Sequence, residues 1–238
     1  TKTVSINILS LLTFKNTDNL NTSYIIDKLP INCQYVNMSI SDVSKHNGIL
    51  EAAFTQFIQY GFQKTTMADI ASAANISRPS IYTYFDNKEE IFKATCIKIN
   101  ELSHQNIAQL LDDDNKNWTV KNKIEAALSE HYFRFLEISK SPHGSELYDE
   151  HNRLCGEIAQ QSVKELRNLM TKALKRADLN GEINLKNIDA TAGMAAEILQ
   201  MSTAGLKAEL PPVKTFQKRL KQFVIIFFAG LEATKSGK

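Results

Sequence analysis

Apolar residues recur along this chain at intervals of three and four, and sharp breaks separate the runs. Leu50, Ala53, Phe54, Phe57 and Ile58 make the first stripe, the spacing of one face of a helix that begins near residue 45. Gly61 stops it, and Phe62 is placed to pack back onto the stripe. Met67, Ile70, Ala71 and Ala74 make a shorter second stripe. Thr65 and Thr66 open it, because hydroxyls accept from the unpaired N–H groups of a first turn. Asn75 stands where the chain must reverse, and Asn tolerates left-handed backbone better than most residues. Ser77 caps a third helix, with Pro79 in its first turn, where a missing N–H costs nothing. Ile76, Ile81 and Phe85 turn inward, which leaves Arg78, Pro79, Ser80, Tyr82, Thr83 and Tyr84 outward.

A fourth helix starts at 86–90, where Asp86 or Asn87 can cap and the acidic pair Glu89-Glu90 suits a first turn. Its inner face is Ile91, Phe92, Thr95, Cys96, Ile99 and Leu102. After the acidic break at 112–117, a fifth helix is expected at about 120–139, with Ile124, Leu128, His131, Phe135 and Ile138 inward. A short helix at about 146–152 and a long one at about 154–178 follow. The long one carries Val163, Leu166, Met170, Ala173, Leu174 and Ala177 on one face and ends at Asn180-Gly181. An eighth helix, about 186–208, is rich in Ala and Gly. A ninth, about 214–233 after Pro211-Pro212, carries Phe216, Leu220, Phe223, Val224, Phe227, Phe228 and Leu231, widened by Ile225 and Ile226. No strand-like alternation and no internal repeat occurs. The predicted architecture is all-α, a three-helix N-terminal domain followed by a larger helical bundle.

The first 37 residues break the pattern: they hold no Glu and no Ala and keep no helical period. They read as an extension outside the main fold, which divides the chain into 1–37, 38–87 and 88–238. Composition is that of an ordinary globular chain, 43% hydrophobic and 23% charged. The three cysteines fit neither a disulfide framework nor a zinc pattern, so a cytoplasmic setting is expected. No apolar run reaches the roughly 20 residues of a membrane span.

A helix that exposes two tyrosines and an arginine lacks a core explanation. The helix-turn-helix arrangement makes its natural partner the major groove of double-stranded DNA. Net charge is only +2. Within 41–100, Lys45, Lys64, Arg78, Lys88, Lys93 and Lys98 are balanced by Asp42, Glu51, Asp69, Asp86, Glu89 and Glu90. Attraction to DNA must therefore come from placement rather than from total charge, with a modest salt dependence.

The motifs at 49–54, Tyr60-Gly61-Phe62, Thr65-Thr66, Asp69-Ile70-Ala71, 77–85 and Lys88-Glu89-Glu90-Ile91 together resemble the TetR family of bacterial regulators. The resemblance covers about 45–95, with Asn75 where the family usually has Gly. It implies phosphate contacts from Thr65, Thr66, Tyr82, Tyr84 and Lys88, and leaves Arg78, Pro79, Ser80 and Thr83 as candidates for base edges. It also implies a homodimer on a near-palindromic operator, built through helices eight and nine. Phe216, Phe223, Val224, Phe227, Phe228 and Leu231 are the expected interface, the alternative being their burial within one chain. The helical bundle of the family encloses a small-molecule pocket. Here His131, Phe135, Met170 and Met194 are the candidates, for an effector of apolar or amphipathic character. His131 and the methionines fit a plain core equally well.

Enzyme chemistry finds little support. There is no Gly-rich phosphate loop and no G-x-S-x-G. Glu101 and His104 have E-x-x-H spacing, but a di-iron bundle needs a second copy and further carboxylates. His143, His151, Glu146, Asp149 and Glu150 read as a solvated surface, and no cofactor or metal is expected. The chain reads as a repressor released from DNA by an effector that shifts helix four. The alternatives are a DNA-binding dimer with no effector and a metal-binding or enzymatic bundle.

Overall fold

A computed structural model describes residues 40–112 and 118–231. The expected extension, 1–37, lies outside them. The described residues form helices α1 (Ile40–Tyr60), α2 (Met67–Ala73), α3 (Arg78–Ile81), α4 (Lys88–Asp112), α5 (Val120–Ile138), α6 (Gly144–Leu154), α7 (Gly156–Leu179), α8 (Ala192–Lys207) and α9 (Val213–Ala229), with a 3₁₀ turn at Leu185–Ile188. The described residues are all-α and divide into two compact units, one ending at Thr95 and the other beginning at Cys96. Helix α4 begins in the first and continues in the second, whereas sequence reading set the boundary ahead of it at 88.

In the first unit, Ile49, Leu50, Ala53, Phe54, Phe57 and Ile58 of α1 are buried against Phe62, Ile70, Ala71, Ile81, Phe85, Ile91 and Phe92. Phe57, Phe62 and Phe92 meet with ring centroids 5.2–5.5 Å apart, tilted or edge-on. Helix α2 ends in a Schellman motif. Asn75 takes φ 55°, its N–H donates to Ser72 O at 3.1 Å, and the Ile76 N–H donates to Ala71 O at 3.0 Å. That reversal sets α3 after α2 in a helix-turn-helix.

The core of the second unit is built from α4, α5, α7, α8 and α9. Its seam on α5 differs from the expected one. Ile124, Leu128, Tyr132 and Leu136 face the core, while His131 and Phe135 lie at its edge, half-buried. The spacing is helical either way. The polar tip of Tyr132 hid an inward residue, and it is satisfied inside by Gln200: its hydroxyl donates to the Gln200 carbonyl at 3.3 Å. Helix α6 starts tightly against the end of α5, where a Cβ at Gly144 would lie 2.3 Å from the Ser139 carbonyl oxygen. Helix α7 ends as its sequence suggested, at Gly181 with φ 72°.

Two corrections concern α8 and α9. Helix α8 begins at Ala192, not near 186, because Asp189 takes a left-handed conformation (φ 49°) and Thr191 caps the helix by accepting from the Met194 N–H. On α9, Phe216, Val224 and Phe228, with Leu231 just beyond it, are buried within the single chain as part of its core, so they do not form a surface for a partner. Phe223 and Phe227 are half-buried, packed on that core with centroids 6.1 Å apart. The apolar residues left outward are Ile225 and Ile226 on α9, and Met194, Ile198 and Met201 on α8.

Candidate nucleic-acid interface and ligand site

The first candidate site is built by α2, the turn and α3. Thr66 caps α2 in a reciprocal box. The Asp69 N–H donates to Thr66 Oγ1 at 3.2 Å, and the Thr66 N–H donates to Asp69 Oδ2 at 2.9 Å. The Thr66 hydroxyl also donates to that carboxylate at 2.7 Å, and these bonds, the hydroxyl's first, hold the Asp69 carboxyl below its ordinary pKa. Ser77 caps α3 by accepting from the Ser80 N–H at 3.2 Å, with the two hydroxyls 2.7 Å apart. Ile81, fully buried, anchors the helix. Around it Arg78, Pro79, Tyr82 and Thr83 are exposed, Tyr82 at 45%, and Ser80 and Tyr84 are partly so. The Thr83 hydroxyl donates to Ser80 O at 2.7 Å, which turns its methyl group free of that bond. The Tyr84 hydroxyl reaches Asp42 Oδ1 at 3.5 Å.

Two of the expected contact residues are placed differently. Thr65 is only 2% exposed, and its hydroxyl donates to Gly61 O at 2.6 Å. Its side chain closes the turn after α1. Lys88 is half-buried. Its Nζ donates to the carbonyls of Phe62 (2.6 Å), Gln63 (3.2 Å) and Thr65 (2.9 Å) and lies 4.4 Å from the Phe62 ring centroid. The ammonium thus ties the 62–65 turn to the start of α4. Sequence reading placed Lys88 on phosphate, because no local pattern marks a lysine as the partner of carbonyls 23–26 residues before it in the chain.

The second candidate site lies within the second unit, where α4, α5, α6, α7 and α8 bring polar side chains together. His131 stacks near His104 with centroids 6.2 Å apart and meets the Tyr132 ring edge-on at 4.8 Å. His104 Nε2 lies 3.1 Å from both the carbonyl and the hydroxyl oxygen of Ser162. Phe135 packs edge-on against Tyr148 at 5.5 Å. Lys207 places its Nζ 3.9 Å from the Phe135 centroid and 5.6 Å from that of Tyr132. Burial first, then the nearby His104 and Lys207, pushes His131 down to about 3. Burial lowers His104, and burial followed by Lys207 lowers His151. Burial also lowers Lys207 itself. Lys207 and His151, which complete this group, were not singled out from the sequence. Lys207 sits at the end of α8, where a lysine has an ordinary place beside the helix dipole. Of the expected ligand residues, His131 and Phe135 belong to the group. Met170 is fully buried in the core and Met194 is exposed on α8.

The E-x-x-H pair is taken up otherwise: His104 bonds Ser162, and burial raises the Glu101 carboxyl. Near α6, His143 pairs with Glu146 at 3.5 Å and Arg153 with Glu150 at 2.8 Å. Among the described residues, no three His, Cys, Asp or Glu side chains group to hold a metal, and no helix is long and apolar enough to cross a membrane.

Residues 49–95 match the family model of bacterial regulatory proteins, tetR family. Over 69 residues the chain is 38% identical to an Escherichia coli K12 protein named as a probable acrEF/envCD operon repressor, covering 28% of this chain and 31% of that one. Over 68 residues it is 35% identical to the HTH-type transcriptional regulator TtgR of Pseudomonas putida, covering 29% and 32%. These matches span about a third of the curated relatives' length. The likeness in fold extends further. A TetR-family transcriptional regulator from Pectobacterium atrosepticum is similar at TM-score 0.61 and 15% identity, covering 83% of this chain and 99% of that one. SmeT, the repressor of the Stenotrophomonas maltophilia multidrug efflux pump SmeDEF, is similar at TM-score 0.55 and 21% identity, covering 81% and 93%. A helix-turn-helix whose reading helix is capped at Ser77, anchored by Ile81 and outwardly polar thus lies within residues 49–95, the segment that matches the tetR family of bacterial regulatory proteins, in a chain whose fold is similar to those of TetR-family regulators.

Proposed function

We propose that this chain is a homodimeric transcriptional repressor that binds a near-palindromic operator and is released by a small organic effector held in the second unit. The observation that carries the DNA reading is the exposed Arg78, Pro79, Tyr82 and Thr83 around a buried Ile81. Arg78 is the candidate for bidentate recognition of guanine, and Thr66, Tyr82 and Tyr84 are the candidates for phosphate. The relatives named as repressors support the sense of the control, and a SmeT structure in complex with triclosan supports a small organic effector. A single short reading helix covers few base pairs, so specificity requires two copies. The exposed apolar stripe Met194, Ile198 and Met201 on α8, with Ile225 and Ile226 on α9, is the surface we assign to the partner. Continuity of α4 from the first unit into the second gives the effector a mechanical route, provided that it binds the two arrangements with different affinity.

Selection of bound DNA from a random pool tests the reading. An enriched sequence with two inverted half-sites is expected. Arg78→Ala is expected to relax preference at one position in each half, at a cost of about 1–3 kcal/mol. Failure to enrich any sequence, or enrichment indifferent to Arg78, overturns it.

A further inference from the structure

The group around Lys207 has a charge pattern that sets the kind of ligand it takes. Its charged and chargeable members, Lys207, His131 and His151, are all basic. The neighbours that act on His131 are His104 and Lys207, and the one that acts on His151 is Lys207, so each opposes a further positive charge. Glu165 bears on His104 at the margin, through α7. Among the described residues, no carboxylate lies within ion-pair distance of Lys207, whose ammonium instead faces the rings of Phe135 and Tyr132. The Nδ1 of His151 is buried with no hydrogen-bond partner in the structure. A half-buried cation over ring faces and a buried, unmet imidazole nitrogen are costly to keep, since each has given up water without a full replacement. A ligand that brings a negative charge and an apolar body answers both.

We propose that the effector is an organic carboxylate with an aryl or alkyl body. Its carboxylate pairs with Lys207 and takes a hydrogen bond from His151. Its body packs against Phe135, Tyr132 and Tyr148. This rests on the effector half of the reading above and narrows it: a lipophilic cation is disfavoured at this site. The ring faces that now hold the ammonium then receive the ligand's apolar surface, so the site exchanges a cation–π contact for a charge pair in a poorly hydrated setting.

The test is calorimetric binding of matched probes to the full chain: 3-phenylpropanoate, 3-phenylpropanol and 3-phenylpropylamine, and decanoate, decanol and decylamine. At least one carboxylate is expected to bind tenfold or more tighter than its matched alcohol, with the amine weakest. Lys207→Met keeps the stem that packs on the rings and removes the charge. It is expected to weaken the carboxylate tenfold or more while leaving the alcohol unchanged, and Lys207→Arg is expected to restore the preference. Should Lys207→Met fail to fold, the wild-type series and Lys207→Arg still decide. Equal affinity for acid and alcohol, a preference for the amine, no binding of any probe, or a carboxylate preference that survives Lys207→Met overturns the proposal. The two readings fail separately. An amine that binds and releases operator DNA keeps the effector reading and sinks this one. A carboxylate that binds at Lys207 without changing DNA affinity keeps the ligand class assigned to this site and sinks the effector reading.

Discussion

The ammonium of Lys88 reaches three backbone carbonyls, those of Phe62, Gln63 and Thr65, and rests over the Phe62 ring. Those carbonyls follow Gly61, at the end of α1, where no helix bonds remain to satisfy them. Hydrogen bonds with one charged partner are each worth about 1.5–3 kcal/mol, with the half-exposed ones at the low end. Replacing Lys88 by Ala is therefore expected to destabilise the first unit by about 2–4 kcal/mol. Urea denaturation followed by circular dichroism measures it. DNA affinity is expected to fall in proportion to the folded fraction, equally for every sequence. A variant that unfolds like the wild type yet loses DNA binding shows instead that the lysine leaves its carbonyls for a phosphate. Thr65 belongs with Lys88 in this reading, because its hydroxyl closes the same turn onto Gly61. Arg78 and Tyr82, in contrast, are free to act on a partner without cost to the turn.

At the scale of the element, α5 decides how the second unit responds to acid. His131 at its edge is held down to about 3, chiefly by burial and then by His104 and Lys207. The unfolded chain holds its histidines near 6.5. As pH falls, the unfolded state takes up the proton first. Stability is therefore intact above about pH 7 and drains away between about 6.5 and 3, with His104 and His151 acting in the same sense. Each group contributes a slope of at most about 1.4 kcal/mol per pH unit in that range. Urea midpoints at about pH 7 and pH 5 are expected to differ, and His131→Phe is expected to remove one proton's share of the slope. An unchanged slope in that variant shows that His131 does not stay neutral in the fold. The helical periods of α1, α2 and α7 were legible because each has one apolar face and one plainly polar face. Helix α5 was not, since Tyr132 is both the inward residue and a polar one, and the stripe Ile124, Leu128, His131, Phe135 fits a helix as well as Ile124, Leu128, Tyr132, Leu136. The start of α8 was set too early: Asn187, Asp189 and Thr191 favour turns and caps over helix interiors, and the left-handed Asp189 with the Thr191 cap puts the helix start after them. The helix-turn-helix was legible to single residues, Asn75 and Ser77 included. Cap and turn chemistry is local, whereas Lys207 and His151 meet through tertiary packing that no local pattern carries.

At the scale of the whole molecule, the question for α9 is which of its apolar residues belong to the chain itself. Phe216, Leu220, Val224 and Phe228 fill one face and are buried in a single copy. Ile225 and Ile226 remain outside it, Ile226 64% exposed, and α8 carries an outward stripe of its own in which Met201 is 61% exposed. Sequence alone did not divide these sets, because Ile225 and Ile226 adjoin Val224, Phe227 and Phe228 in the chain and widen one apolar arc. The division has a sharp consequence for mutation. Phe216→Ala removes a core ring and is expected to cost about 3–5 kcal/mol of fold stability. Ile226→Glu, alone or with Met201→Glu, adds a carboxylate to a solvated face of the lone chain and is expected to leave the fold within about 1 kcal/mol of the wild type. In a dimer the same carboxylate would be buried unpaired, at about 3–5 kcal/mol, which is roughly a hundredfold or more in the dimer dissociation constant. Sedimentation velocity separates the two outcomes: a folded monomer is expected from Ile226→Glu at concentrations where the wild type is dimeric. Operator affinity should fall with the dimer, since one reading helix spans too few base pairs to hold a specific site. If Ile226→Glu sediments as the wild type does, the apolar stripes of α8 and α9 are not the partner surface, and two-fold recognition of DNA must be assembled elsewhere.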